Sequence, residues 1–293
     1  MTQATAEVRP PSAPARQPRV PLPRLVQAEL RWIFRRPRTL IVLGLFAILP
    51  VAVGIGLVLV DSPGGGDGPE GPTGSLLSAA AGNALILPVA MLALTLGLLL
   101  PLTAAMAGAD ALAGESSHGT LRGWLLAPVS RGRLLGVKVV GVAAVVLAAI
   151  TVLTLIAIIT GLILNGTDSL FTLSGTTLSF PDALGRIAVA VGWAAVQGWA
   201  VGAVALTISA CTEHPMLVVA SVLGGVVVFS VLRMLDALAW LHPFLLTESF
   251  MSIADVLRDP MPTADLGEGL LRAGAYLVIA LSLAYARIIT KDG

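Results

Sequence analysis

The chain has 293 residues, of which 56% are hydrophobic and only 12% charged, with a formal net charge of +1. A water-soluble domain carries about a quarter charged residues, so most of this surface is built to face lipid, and an ordinary soluble enzyme or a nucleic-acid-binding protein is excluded. A single cysteine, Cys211, rules out an intramolecular disulfide and a cysteine-rich metal site, and sixteen arginines against two lysines in an Ala-, Gly- and Val-rich chain suit a GC-rich bacterial genome.

In chain order, residues 1–23 are Pro- and Arg-rich and read as a disordered cytosolic tail. The first long apolar run, Thr39–Val60, exceeds the 7–15 or so apolar residues of a signal peptide and reads as a retained membrane helix. A helix crossing the hydrocarbon core needs about 20 mainly apolar residues. Five further segments meet that need: Ala84–Ala109, Leu134–Leu164, Ile187–Ala210, Met216–Leu232 and Leu270–Ile289. The third of the six is too long for the bilayer alone and should tilt or protrude. Pro88 and Pro101 should kink the second. Fourteen of the eighteen basic residues fall on one side of this six-span arrangement. The expected topology therefore has both termini cytoplasmic.

The connections differ in character. Asp61–Gly82 is rich in Gly, Pro and acidic residues and reads as a flexible outer loop. Asn165–Thr167 matches a glycosylation acceptor, but an Asn-Gly turn ending the third span explains it as well. The fourth and fifth spans are joined by a tight turn over Cys211–Pro215. Residues 233–269 are too polar to span, yet Leu235, Leu238, Leu241, Leu245, Phe250, Ile253 and Leu257 recur roughly at helical spacing, in pieces broken by Pro243 and Pro260. They predict one or two amphipathic helices at the outer surface, acting either as a lid or as a cap over the bundle.

Much chemistry is missing. The sequence has no phosphate-cradling G-x-x-x-x-G-K-[ST], no H-E-x-x-H and no metal-ligand set, and no Asp, Glu or His lies in the middle of a span. No catalytic residue is assigned. Gln197, between Trp193 and Trp199 on the fourth span, is the nearest polar candidate for a substrate pathway. Its ordinary role would be an interhelical hydrogen bond with tryptophan packing. Gly198-x-x-x-Gly202 predicts a close helix contact on the same span.

The most specific stretch runs from Gly114 and Glu115 through Gly119, Thr120, Leu121, Arg122, Leu125, Leu126, Pro128, Ser130 and Arg131 to Lys138. In order and spacing over about 25 residues it resembles the signature of ABC-2-type permeases, with His118 and Trp124 as departures. Upstream, Glu29, Arg31 and Trp32 sit in a basic stretch, Glu29–Arg38, that looks like the amphipathic connecting helix leading into that family's first span. The resemblance implies an all-α integral membrane protein of six helices, similar to type V exporters. An amphipathic helix would precede the first span and outer-surface helices the last. Residues 24–293 would form one permease domain, with a cytoplasmic coupling loop at 110–134 and a gate-like outer segment at 233–269 that includes Trp240, His242, Phe244 and Glu248. It implies ATP-driven efflux of a drug-, lipid- or other amphiphile-like substrate in a bacterial cell membrane. The chain itself would bind no cofactor. ATP and magnesium would belong to two copies of a separate ATP-binding subunit, and the chain would pair with a second permease copy or homologue in lipid. The rival classes are an ion-coupled carrier or channel, and an integral membrane enzyme. Proton- or sodium-driven transport by the isolated chain would favour the first, and turnover lost with one polar substitution the second.

Overall fold

The computed structural model describes residues 21–59, 72–117, 130–166 and 170–290. Among these the regular structure is helical, apart from one isolated pairing of Phe171 with Thr177. Helix α1, Leu22–Phe34, ends three residues before Pro37. A residue preceding proline is disfavoured in the helical region, so the chain turns at Arg35–Arg36 and restarts as α2, Pro37–Leu59. A short helix α3, Pro72–Ala80, then occupies part of the stretch expected to be a flexible loop.

The expected second span is two helices, α4 (Ile86–Gly97) and α5 (Leu99–Ala111), bent by 55°. The expected kink is present, as a break at Leu98 rather than a bend in a continuous helix. Pro88 and Pro101 each lie in the first turn of a new one, where a missing N–H costs nothing. Pro101 cannot donate to the Gly97 carbonyl four residues back, and the break falls at Leu98. A five-residue helix α6, Ala113–Ser117, follows. Helix α7, Arg131–Asn165, has 35 residues, about 52 Å at 1.5 Å each, and so outruns the roughly 30 Å hydrocarbon core. It ends at Gly166, whose N–H closes the last helical bond to the Leu162 carbonyl and whose φ of +71° turns the chain out of the helix, which is the Asn-Gly turn the sequence predicts.

Helix α8, Phe180–Cys211, is the most enclosed long helix, 61% buried over its apolar window against 17% for α2, α9 (Pro215–Arg233) and α10 (Thr263–Thr290). The glycine pair supplies the close contact expected of it. A Cβ on Gly198 would meet Val146 at 2.6 Å, and one on Gly202 would meet Val142 at 2.8 Å, so both glycines seat α8 on α7. Among the described residues, five single helices are long and apolar enough to cross a membrane, and the bent α4–α5 pair makes a sixth crossing if taken as one.

The segment expected at the outer surface is built of 3₁₀ rather than α-helix, in two stretches, Asp236–Phe244 and Leu246–Leu257, divided at Leu245. The first buries no residue. The second buries Leu246, Phe250, Ile253, Val256 and Leu257, so it is part of the core rather than a surface helix. Arg186 on α8 donates to the Val256 carbonyl at 3.1 Å, and Arg272 on α10 donates through Nε to the Pro243 carbonyl at 2.6 Å. The middle and the C-terminal end of the segment are therefore fastened to long helices.

Candidate functional site

At the opposite end of the bundle, Lys138 lies two turns into α7 and is only 1% exposed. Its Nζ donates to Glu29 Oε1 of α1 at 2.9 Å and also to Glu115 Oε1 of α6. Both carboxylates are buried. A buried ammonium needs an opposite charge and a full set of acceptors, and here two acidic side chains from two other helices converge on it. One cation thus joins α1, α6 and the root of α7.

The surrounding packing fixes this geometry. Gly141 stands one turn beyond Lys138, and a Cβ there would meet Ile33 Cδ1 at 2.8 Å, so the absence of a side chain at this position lets the Ile33 side chain of α1 lie directly against α7. Ser209, near the end of α8, accepts from the Ala113 N–H at 2.9 Å and so sets where α6 begins. Trp32 presents its ring to two cations, the Arg36 guanidinium 3.2 Å and Lys138 Nζ 5.8 Å from the centroid. Arg36 in turn pairs with Asp110 at 3.2 Å, and Arg38 reaches the same carboxylate at 3.7 Å. Burial pushes the Glu115 carboxyl above its ordinary pKa, and the Lys138 charge only partly offsets that.

The candidate residues named from sequence separate into groups. Glu29, Trp32 and Glu115 meet at Lys138, whereas Arg31 is exposed. Arg131 binds the Ile288 and Ile289 carbonyls at the end of α10, at 3.0 and 2.7 Å. There a cation also suits the helix dipole. Ser130 occupies the N-cap position of α7 with an extended backbone. Gly119, Thr120, Leu121, Arg122, Leu125, Leu126 and Pro128 lie outside the described residues. Trp193 and Gln197 donate to the carbonyls of Leu266 and Gly269 on α10, at 3.1 and 3.0 Å, and Trp199 donates to Ala143 of α7 at 3.1 Å. All three therefore make interhelical hydrogen bonds, and Trp199 also borders an apolar groove between α7, α8 and α10. Trp240 and Phe244 are exposed, while His242 and Glu248 line a cavity of about 340 Å³ with Asp265, Glu268 and Arg272.

Sequence reasoning assigned no role to Lys138, Ser209 or Asp110. Lys138 carried a readable signal as one of only two lysines, placed inside an apolar run. The pairing of Ser209 with a backbone N–H 96 residues away had none.

The sequence matches the family model described as ABC-2 family transporter protein over residues 24–292, from α1 through the whole of α10. A search of curated proteins finds no match. The family match covers every helix that meets at Lys138 together with the bundle those helices anchor, and the chain belongs to the ABC-2 family as a multi-pass membrane transport protein.

Proposed function

We propose that the chain is the membrane-spanning subunit of an ATP-driven exporter. A second permease copy or homologue would complete the pathway, and two copies of a separate subunit would bind ATP and magnesium. The cargo would be a drug-, lipid- or other amphiphile-like molecule. The observation that carries this reading is the buried Lys138 cluster and its place in the chain. Residues 118–129 lie between Glu115, held by Lys138, and Arg131, held by the end of α10. A force applied to that stretch would reach α1, α6, α7 and α10 together. Buried ion pairs are weak stabilisers because desolvation offsets their attraction. What they do supply is a defined geometry between the elements that carry them, which a coupling device needs.

Orientation follows from charge. The end of the bundle holding α1 and the root of α7 carries most of the basic residues, and it is assigned to the cytoplasm of a bacterial inner membrane. The stretch 118–129 then faces the compartment where ATP is found.

The test is copurification of the ATP-binding subunit with variants at matched expression. A buried leucine contributes about 1.5–3 kcal/mol, and each 1.4 kcal/mol is a factor of ten. Leu125→Asp or Leu126→Asp should weaken capture by roughly ten- to a hundredfold, and Leu25→Asp on α1 should have an intermediate effect. Full retention of the subunit by both loop variants would overturn the assignment.

A further inference from the structure

The polar corner beside Lys138 opens into a crevice between α1, α2, α5 and α7. Its cavity has about 50 Å³, room for a few waters, at about 10–15 Å³ each, or for one phosphate group. The mouth carries Arg36 and Arg38, at the corner where α1 meets α2. Behind it the wall turns apolar, through Val42 of α2, Met106 of α5, and Val142 and Val145 of α7. This is the gradient an amphiphile with a negative head would match.

Charge favours an anionic occupant. Around the corner, Arg31, Arg35, Arg36, Arg38 and Lys138 outnumber the carboxylates Glu29, Glu115 and Asp110 by five to three. The carboxylate nearest the mouth, Asp110, is shared by two arginines. Arg38 is 74% exposed on its side chain and meets Asp110 only at 3.7 Å. Arg36 donates to Asp110 through one nitrogen, and a guanidinium has five N–H donors in all. Trp32, 44% exposed beneath Arg36, has the amphipathic ring typical of the lipid headgroup level.

We propose that this crevice binds the head of one anionic phospholipid, its phosphate on Arg36 and Arg38 and an acyl chain leaving along the half-buried Val42 and Met106. A basic pocket between membrane helices suits an anionic headgroup, and each arginine near such a headgroup contributes about 1 kcal/mol. The site gives a ligand to the corner used in the coupling reading, but it rests on the crevice and requires no contact with an ATPase. Bound there, the lipid would wedge α1 against α2 and hold the approach to Lys138.

The experiment is native mass spectrometry of the full chain released from micelles containing phosphatidylglycerol and phosphatidylcholine in equal amounts. The wild-type chain should retain phosphatidylglycerol selectively. Arg38→Gln should lower that retention about fivefold, the factor for 1 kcal/mol. Arg24→Gln, an exposed cation on α1 outside the crevice, should leave it unchanged, and so should excess inorganic phosphate, which lacks an acyl chain. Equal retention of the two lipids, equal loss with Arg24→Gln, or full displacement by phosphate would each overturn the proposal. Arg38→Gln should still capture the ATP-binding subunit, so failure of this site and failure of the coupling reading are distinguishable.

Discussion

Lys138 faces two buried carboxylates, and that imbalance decides how its variants should behave. Removing one partner of a buried ionic group costs about 3–5 kcal/mol. Lys138→Met, which strands Glu29 and Glu115 together, should therefore lower thermal stability in detergent sharply. Adding Glu29→Gln and Glu115→Gln should restore much of it, because neutral replacement of a whole buried ionic group is often tolerated. Glu115→Gln alone leaves one cation with one carboxylate and should be mild. The sign of its pH effect follows from the raised pKa of Glu115, which burial causes. The folded chain holds that proton more tightly than the unfolded chain, so the contribution of this group is largest below the ordinary glutamate value. It then falls as pH rises through the raised one. Glu115→Gln should flatten stability across that window, and an unchanged pH profile would contradict the assignment. Glu29, Trp32 and Glu115 were legible in the sequence as motif positions. That all three meet at one lysine was not, because their separations of up to 109 residues leave no local pattern.

Among the elements, the outer segment departs furthest from its sequence pattern. Helical spacing of leucines in 233–269 predicts amphipathic α-helix, yet the chain winds as 3₁₀ and divides its two stretches between surface and core. Its backbone is held by side chains from other helices, Arg186 and Arg272, which single-segment periodicity cannot register. The burial difference gives a prediction. Phe250→Ala and Ile253→Ala should each cost about 2–5 kcal/mol, as large-to-small core changes do. Trp240→Ala and Phe244→Ala, on exposed side chains, should stay within about 0.5 kcal/mol. Thermal unfolding of the purified variants separates the two pairs, and equal losses would mean that the first stretch is buried in the functional assembly. The second span carries the same lesson. Its prolines were visible, but whether a proline kinks a helix or starts one depends on the turn in which it falls.

On the scale of the whole molecule, two ends of one bundle are fastened by different chemistry. One end gathers α1, α6, α7 and α10 through Lys138, Arg36 and Arg131. The other secures the outer segment through Arg186 and Arg272, and α8 runs enclosed between them. All-helical architecture and apolar crossings were legible because hydropathy over 20 residues is a strong signal. The ties between helices were not, since each depends on a single polar contact. If the Lys138 corner transmits force, an event at residues 118–129 must alter the far end, and only a measured coupling between the two can establish that. The direct measurement is thiol labelling of Trp240→Cys in a Cys211→Ser background, with the ATP-binding subunit bound and either nucleotide-free or trapped with ATP. With Lys138, Glu29 and Glu115 intact, the labelling rate should differ between the two states. In the neutral combination of Glu29→Gln, Glu115→Gln and Lys138→Met, the subunit should still copurify and that difference should vanish. An undiminished ATP-dependent change in the neutral combination would contradict the account.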